Sequence, residues 1–161
     1  MKNAVIRIIK PDDNKALATI VRSVLAEFGA NRPGTVYYDQ TTDNLFALFQ
    51  QEKCIYYVAI IEDEIVGGAG IFASAGLPEK TCELVKMYLT KNARGGGLGR
   101  MLIEKCLLFA ESSGYKQVYI ETMPELKKAM SVYEKFGFRY LSGPMGNTGH
   151  FGCDVWMLKD L

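Results

Sequence analysis

The stretch from Glu83 to Ser113 constrains this chain more than any other. Glu83-Leu84-Val85-Lys86-Met87-Tyr88-Leu89 reads as a strand, Thr90 to Ala93 leave it, and Arg94-Gly95-Gly96-Gly97-Leu98-Gly99 leads into a helix. Leu98, Met101, Leu102, Cys106 and Phe109 then recur at helical spacing until Gly114 ends the run. Glycines let a backbone fold tightly and turn successive N–H groups toward one point. The start of the helix adds N–H donors without intrahelical partners and a partial positive charge. A diphosphate is the ligand such a concavity holds best. Arg94 and Arg100 stand where they could add positive charge beside it. The competing reading is a flexible glycine turn before a helix.

Two other phosphate-binding loops are excluded. The P-loop needs a Gly-Lys pair, and the chain has none. The dinucleotide fingerprint fails because Arg100 stands at its last glycine. A looser match, Gly68-x-Gly70-x-x-Ala73, falls inside a predicted strand with no helix after it, so it reads as chance or as glycines relieving crowding in a sheet.

The rest of the chain alternates strands and helices. Ala4 to Ile9 is a strand of β-branched residues, stopped by Pro11. Leu17, Ile20, Val21, Val24, Leu25 and Phe28 define an amphipathic helix, with Gly29 as its C-cap. A loop over Ala30 to Thr42 precedes a short helix expected at Asp43 to Gln50. Cys54 to Ile61 and Ile65 to Ala73 are strands joined through Glu62-Asp63-Glu64, and Thr81 to Leu89 is the next strand. After the glycine loop and its helix, Gln117 to Glu121 is a strand. Thr122-Met123-Pro124-Glu125 resembles a capping box for a helix carrying Leu126, Ala129, Met130 and Tyr133. Phe138 to Leu141 and Gly152 to Leu158 are the last strands. This pattern predicts one α/β (α+β) domain over residues 1–161, with six to seven mostly antiparallel strands and about four helices.

Bulk properties narrow the function classes. A formal net charge of +1 with dispersed Lys and Arg gives no basis for broad nucleic-acid binding. The N-terminal ten residues are too short and charged for a signal peptide. No apolar run approaches the roughly 20 residues that span a bilayer. The expectation is therefore a soluble, cytoplasmic protein. Cys54, Cys82, Cys106 and Cys153 form no C-x-x-C pair and read as buried free thiols. His150 is the single histidine, and the sequence shows no ligands gathered around it, so no metal site is expected.

The segment from Glu83 to Phe138 resembles the GNAT superfamily of N-acetyltransferases. Arg94, Gly97 and Gly99 match that family's phosphate loop, and Tyr133-Glu134-Lys135-Phe136-Gly137-Phe138 matches the phrase that follows it, with Ala129 four residues before the tyrosine. Where many members carry an asparagine three residues before that alanine, Leu126 stands here. The resemblance implies a sheet that splays between its fourth and fifth strands, and acetyl-CoA as the cofactor. It places the pyrophosphate on backbone N–H groups of Gly95, Gly96, Gly97, Leu98 and Gly99. The backbone of Met87, Tyr88 and Leu89 would face the pantetheine arm.

By the same resemblance Tyr133 protonates the departing thiolate, although its spacing also suits a core tyrosine. Glu83 takes a proton from the acceptor amine, although it also reads as a solvent-facing strand residue. Glu121 is a rival for that task. Tyr37, Tyr38, Arg32 and His150 lie in segments that would approach the acceptor, although each also reads as a surface-loop residue, and His150 as a turn residue beside Gly149. The implied reaction is direct attack by a primary amine in a ternary complex. A non-catalytic acyl-CoA sensor or scaffold of the same fold is the alternative. Homodimers are common among proteins of this kind.

Overall fold

A computed structural model, describing residues 3–161, sets the expected strands side by side. They are β1 (Ala4–Ile8), β2 (Ile55–Ile61), β3 (Glu64–Phe72), β4 (Thr81–Leu89), β5 (Gln117–Thr122), β6 (Arg139–Tyr140) and β7 (Val155–Asp160). They form one sheet in the order β1-β2-β3-β4-β5-β7-β6. Only the β4–β5 pair is parallel; the other neighbours run antiparallel. The helices are α1 (Asn14–Glu27), α2 (Leu45–Leu48), α3 (Leu98–Ser112) and α4 (Lys127–Lys135). Among the described residues no helix is long and apolar enough to cross a membrane.

Alternation along the strands divides the core between the two faces. Cys82, Leu84, Val118 and Ile120 pack with Leu98, Leu102, Ile103, Cys106 and Ala110 of α3, joined by Tyr133 of α4. Val58 and Val85 pack on the other face with Leu17 of α1 and Leu45 of α2. Val21 and Leu25 of α1 continue that face toward Met123 and Cys153.

Several boundaries differ from expectation for identifiable reasons. The helix expected at Asp43 to Gln50 is a 3-10 turn over Gln40–Asn44 and a single α turn. Asn44 accepts a hydrogen bond from the Ala47 N–H at 3.2 Å, and so starts that turn late. The capping box at Thr122 does not form. Thr122 stays in β5 opposite Val155, and α4 starts at Lys127 behind a turn closed by Leu126 N–H to Met123 C=O. The last strand starts at Val155, not Gly152. The Gly152 N–H is taken by Gly34 C=O and the Cys153 N–H by His150 C=O. Glu62 and Asp63 both take positive φ, 50° and 66°, the two-residue turn that suits the twist of β2 and β3.

One irregularity in β4 positions the site. The register between β3 and β4 jumps from Gly68↔Tyr88 to Gly70↔Val85. The extra length bulges at Lys86, whose φ is 49°. A bulge inverts the facing of every residue beyond it. Cys82 and Leu84 face α3 before the bulge; Met87 and Leu89 face α3 after it. Tyr56 pins the bulge, its hydroxyl donating to the Lys86 carbonyl at 2.8 Å. Its fully buried ring crosses β3 over the glycines. A Cβ on Gly68 would lie 2.5 Å from Tyr56 Cε1, and one on Gly70 would lie 2.7 Å from Cδ2. Crowding therefore accounts for both glycines, and it comes from the Tyr56 ring together with the Tyr57 and Ile55 carbonyls of β2.

Candidate active site at the splayed strands

β4 and β5 pair only over Thr81–Glu83 and Gln117–Tyr119. Beyond that point the two strands part, and β4 from Leu84 onward has no strand beside it on that side. This is the expected splay. Its α3 side is walled by Met87, and α3 begins close by. A Cβ on Gly99 would lie 3.2 Å from Met87 Cε and 3.6 Å from Leu89 Cδ1, so helix and strand touch there.

The loop before α3 has the form expected of an anion cradle. Gly95 and Gly97 take φ of 81° and 84°, the left-handed region that favours glycine, and Gly97 is the N-cap of α3. The first helical bond runs from Met101 N–H to Gly97 C=O. The N–H groups of Leu98, Gly99 and Arg100 therefore precede the intrahelical ladder. Gly96 is more telling. Its φ is not positive, and an added Cβ would meet no protein atom within 4 Å. Neither strain nor crowding within the chain explains a glycine there, whereas close approach of a ligand to the backbone does.

The two arginines do not add free positive charge to this cradle. Arg94 clamps the Glu27 carboxylate with both terminal nitrogens at 2.8 Å, and its Nε donates to Leu89 C=O at 2.9 Å. Its guanidinium also lies 5.1 Å from the Phe28 ring centre. It ties the C-terminus of α1 to the loop. Arg100 is exposed and pairs with Glu104 one turn along α3.

The other wall of the splay is polar. Glu83 is 3% exposed, and Ser74 donates its hydroxyl to the carboxylate. Burial pushes the Glu83 carboxyl up to about 7. The Ser74 hydrogen bond opposes that shift, and the nearby Glu121 reinforces it. Glu121 stands two residues beyond the last β5 residue paired with β4, on the same face. It accepts from Tyr119 Oη at 2.8 Å and from Thr148 Oγ1. His150 Nδ1 lies 3.8 Å from Glu121, and its Nε2 lies 3.2 Å from Asp39 Oδ2. Asp39 also faces buried Lys86 at 3.4 Å. The His150 hydrogen bond, then the Lys86 charge and the Thr41 donors, hold the Asp39 carboxyl well below the usual carboxylate range. Burial pulls the Lys86 ammonium down, opposed by Asp39.

The lone histidine is thus not isolated. One ligand-type atom from each of Glu83, Glu121 and His150 lies within 4.8 Å of the others, a cluster that sequence separation concealed. Sequence reading missed Ser74, Asp39, Lys86, Tyr119 and Thr148. None stands in a motif, and they converge only through tertiary structure.

Tyr133 sits on the opposite side of β4 from Glu83, within the α3-side core. It is 6% exposed, its hydroxyl reaches Met87 Sδ at 3.7 Å, and Phe138 packs edge-on at 5.8 Å. Burial pushes its phenol pKa up, so it holds its proton throughout the physiological range. Tyr37 is half-buried, and Tyr38 is exposed one residue before Asp39, their rings 5.1 Å apart. Tyr88 faces the α1 side with Val21 and Leu25.

A parallel pair that parts above a buried carboxylate, with a main-chain anion cradle at the next helix, defines a transferase that uses an acyl-coenzyme A. Comparison with known proteins agrees. The model of the acetyltransferase (GNAT) family matches residues 18–138. The Escherichia coli K12 N-acetyltransferase YjgM is 37% identical over 161 residues, covering 99% of this chain and 96% of YjgM. A GNAT-family acetyltransferase from Staphylococcus aureus Mu50 superposes with a TM-score of 0.81 at 18% identity, covering 98% of this chain and 99% of that one. The PaiA N-acetyltransferase from Thermoplasma acidophilum, solved in complex with coenzyme A, does so at 0.76 with 14% identity over 99% of each chain. The chain belongs to the GNAT acetyltransferase family. It is an acetyl-CoA-dependent N-acetyltransferase.

Proposed function

We propose that this enzyme acetylates a primary amine by direct attack within a ternary complex, with Glu83 as proton acceptor and Tyr133 as proton donor. The observation that carries the reading is their placement on opposite faces of β4 where β4 and β5 part. Acetyl-CoA supplies the activated acyl group as a thioester. Backbone N–H groups from Gly95 to Arg100 hold its pyrophosphate, and the open edge of β4 at Met87, Tyr88 and Leu89 offers the pantetheine amides a strand partner. Arg94 supports this cradle from behind through Glu27, and Arg100 stands at its outer edge. Tyr37, Tyr38 and His150 border the acceptor.

An ammonium cannot attack a thioester, so the first proton passes to the Glu83 carboxylate. A carboxyl with a pKa near 7 suits that exchange at neutral pH. The nitrogen–carbon bond forms as the carbon–sulfur bond breaks, and the Tyr133 hydroxyl gives its proton to the leaving sulfur. The second proton lost by nitrogen restores Tyr133. Each turnover then yields one amide, one thiol and one released proton. The four cysteines are unpaired and support a reducing, cytoplasmic setting. Burial pushes the Cys82 and Cys153 thiols up to about 12, which argues against an acyl-cysteine route.

The test is thiol release from acetyl-CoA with a panel of primary amines. Tyr133→Phe is expected to lower kcat by about 10²-fold or more while leaving the coenzyme A dissociation constant within about twofold. Equal loss of both, or of neither, removes Tyr133 from its role. Tight binding without acetylation of any amine favours the sensor reading.

A further inference from the structure

Resting on the reading that Glu83 faces the acceptor nitrogen, we infer that Glu83, Glu121 and His150 form a three-acceptor seat for a primary ammonium, and that the acceptor is an alkyl- or arylalkylamine without a carboxylate beside its nitrogen.

The three side chains stand close enough for one nitrogen to reach all of them, with His150 Nδ1 and Glu121 3.8 Å apart. A primary ammonium carries three N–H donors in tetrahedral directions. Acceptors about 2.8 Å from such a nitrogen stand roughly 4.6 Å from one another. One atom from each of the three side chains lies within 4.8 Å of the others. Each can accept. Ser74 occupies one oxygen of Glu83. Tyr119 and Thr148 each donate to one oxygen of Glu121, which fixes that carboxylate and leaves lone pairs on both oxygens. Asp39 is held ionised and can only accept, so His150 Nε2 carries the hydrogen toward it. With Nε2 as the donor, Nδ1 is the ring nitrogen that carries the lone pair in that tautomer, and it faces Glu121 at 3.8 Å. Asp39 thus acts as a positioning residue, orienting the imidazole.

Charge then selects among amines. Glu83, Glu121 and Asp39 bring three carboxyl groups to this cluster. The cations that approach it are already engaged: Lys86 by Asp39, Arg22 by Asp43, and Arg32 by Glu125 and Asp154. An amino-acid carboxylate placed beside the nitrogen would meet carboxylates, and among the described residues the nearby cations are already paired. Exposed aromatic residues are the chain neighbours of two residues of this cluster. Tyr38 precedes Asp39 and is 59% exposed, while Phe151 follows His150 and is 81% exposed. They suit an apolar body on the amine.

The experiment compares matched pairs that differ only in the carboxylate: phenethylamine against phenylalanine, and pentylamine against norleucine. Thiol release is followed with coenzyme A binding measured in parallel. The amine of each pair is expected to exceed its amino acid by about 10²-fold or more in kcat/KM. Glu121→Gln is expected to raise the amine KM by about tenfold with a smaller change in kcat and unchanged coenzyme A affinity. His150→Asn is expected to act in the same direction, so the result does not rest on one variant folding well. Amino acids turned over as well as their amines, or an unchanged amine KM in both variants, overturns the seat while leaving acetyl transfer intact. Coenzyme A binding with no acetylation of either class overturns the seat and its acceptor class, and turnover of another amine from the wider panel then leaves acetyl transfer standing.

Discussion

In the proposed mechanism Glu83 is the proton acceptor, and its burial has two consequences of opposite value. A carboxyl that titrates near 7 is matched to an amine at neutral pH, but ionising it inside the protein costs folding stability. Its ordinary value is 4.5, and the folded value is about 7. A carboxyl raised on folding binds its proton more tightly in the native state. Its favourable contribution is complete below pH 4.5 and is lost as pH rises through 7. The difference amounts to roughly 3 kcal/mol. Relative to Glu83→Gln, wild-type stability in denaturant titrations is therefore expected to decline by up to that amount between about pH 4.5 and 8. The same variant should lower kcat by about 10²-fold or more and abolish the inflection near pH 7 in kcat. A parallel pH profile in both proteins would remove Glu83 as the base.

The glycine loop and the β4 bulge show two ways in which an element is shaped for a ligand. At Gly97 the backbone itself demands glycine, and Gly97→Ala is expected to cost about 1 kcal/mol in stability. Gly96 separates binding from folding. Gly96→Ala should leave the unfolding midpoint within experimental error, because its Cβ meets no protein atom. It should weaken coenzyme A by about tenfold or more in calorimetry, because the added methyl occupies the surface that the pyrophosphate approaches. Equal affinity in that variant would move the pyrophosphate elsewhere. The loop was legible because its chemistry is local: consecutive glycines before a helical period leave few alternatives. The bulge was not. Lys86 carries no mark of a positive φ, and its cause lies in the Tyr56 hydroxyl, two strands and thirty residues away.

At the scale of the whole molecule, the link from α1 to the glycine loop decides how rigidly the cradle is held. Arg94 and Glu27 form its ends. Arg94→Ala, Glu27→Ala and the double variant are expected to lower the unfolding temperature non-additively, the double losing little beyond either single. Coenzyme A affinity should fall alike in all three. A loss confined to Arg94→Ala would instead mean a direct contact with phosphate. The sequence alone determined the alternation of strands and helices, the anion loop and the candidate pair Tyr133 and Glu83, because periodicity, glycine spacing and a family phrase are properties of adjacent residues. Tertiary structure decided which groups gather around Glu83. Asp39, Glu121, Thr148 and His150 come from three separate segments and meet only because β5 stands beside β4 while the loops before α2 and β7 fold over the same sheet face. The same holds for Arg94, whose sequence position beside the loop suggests only added positive charge: its partner, Glu27, is 67 positions away and is brought near by the packing of α1 on the sheet.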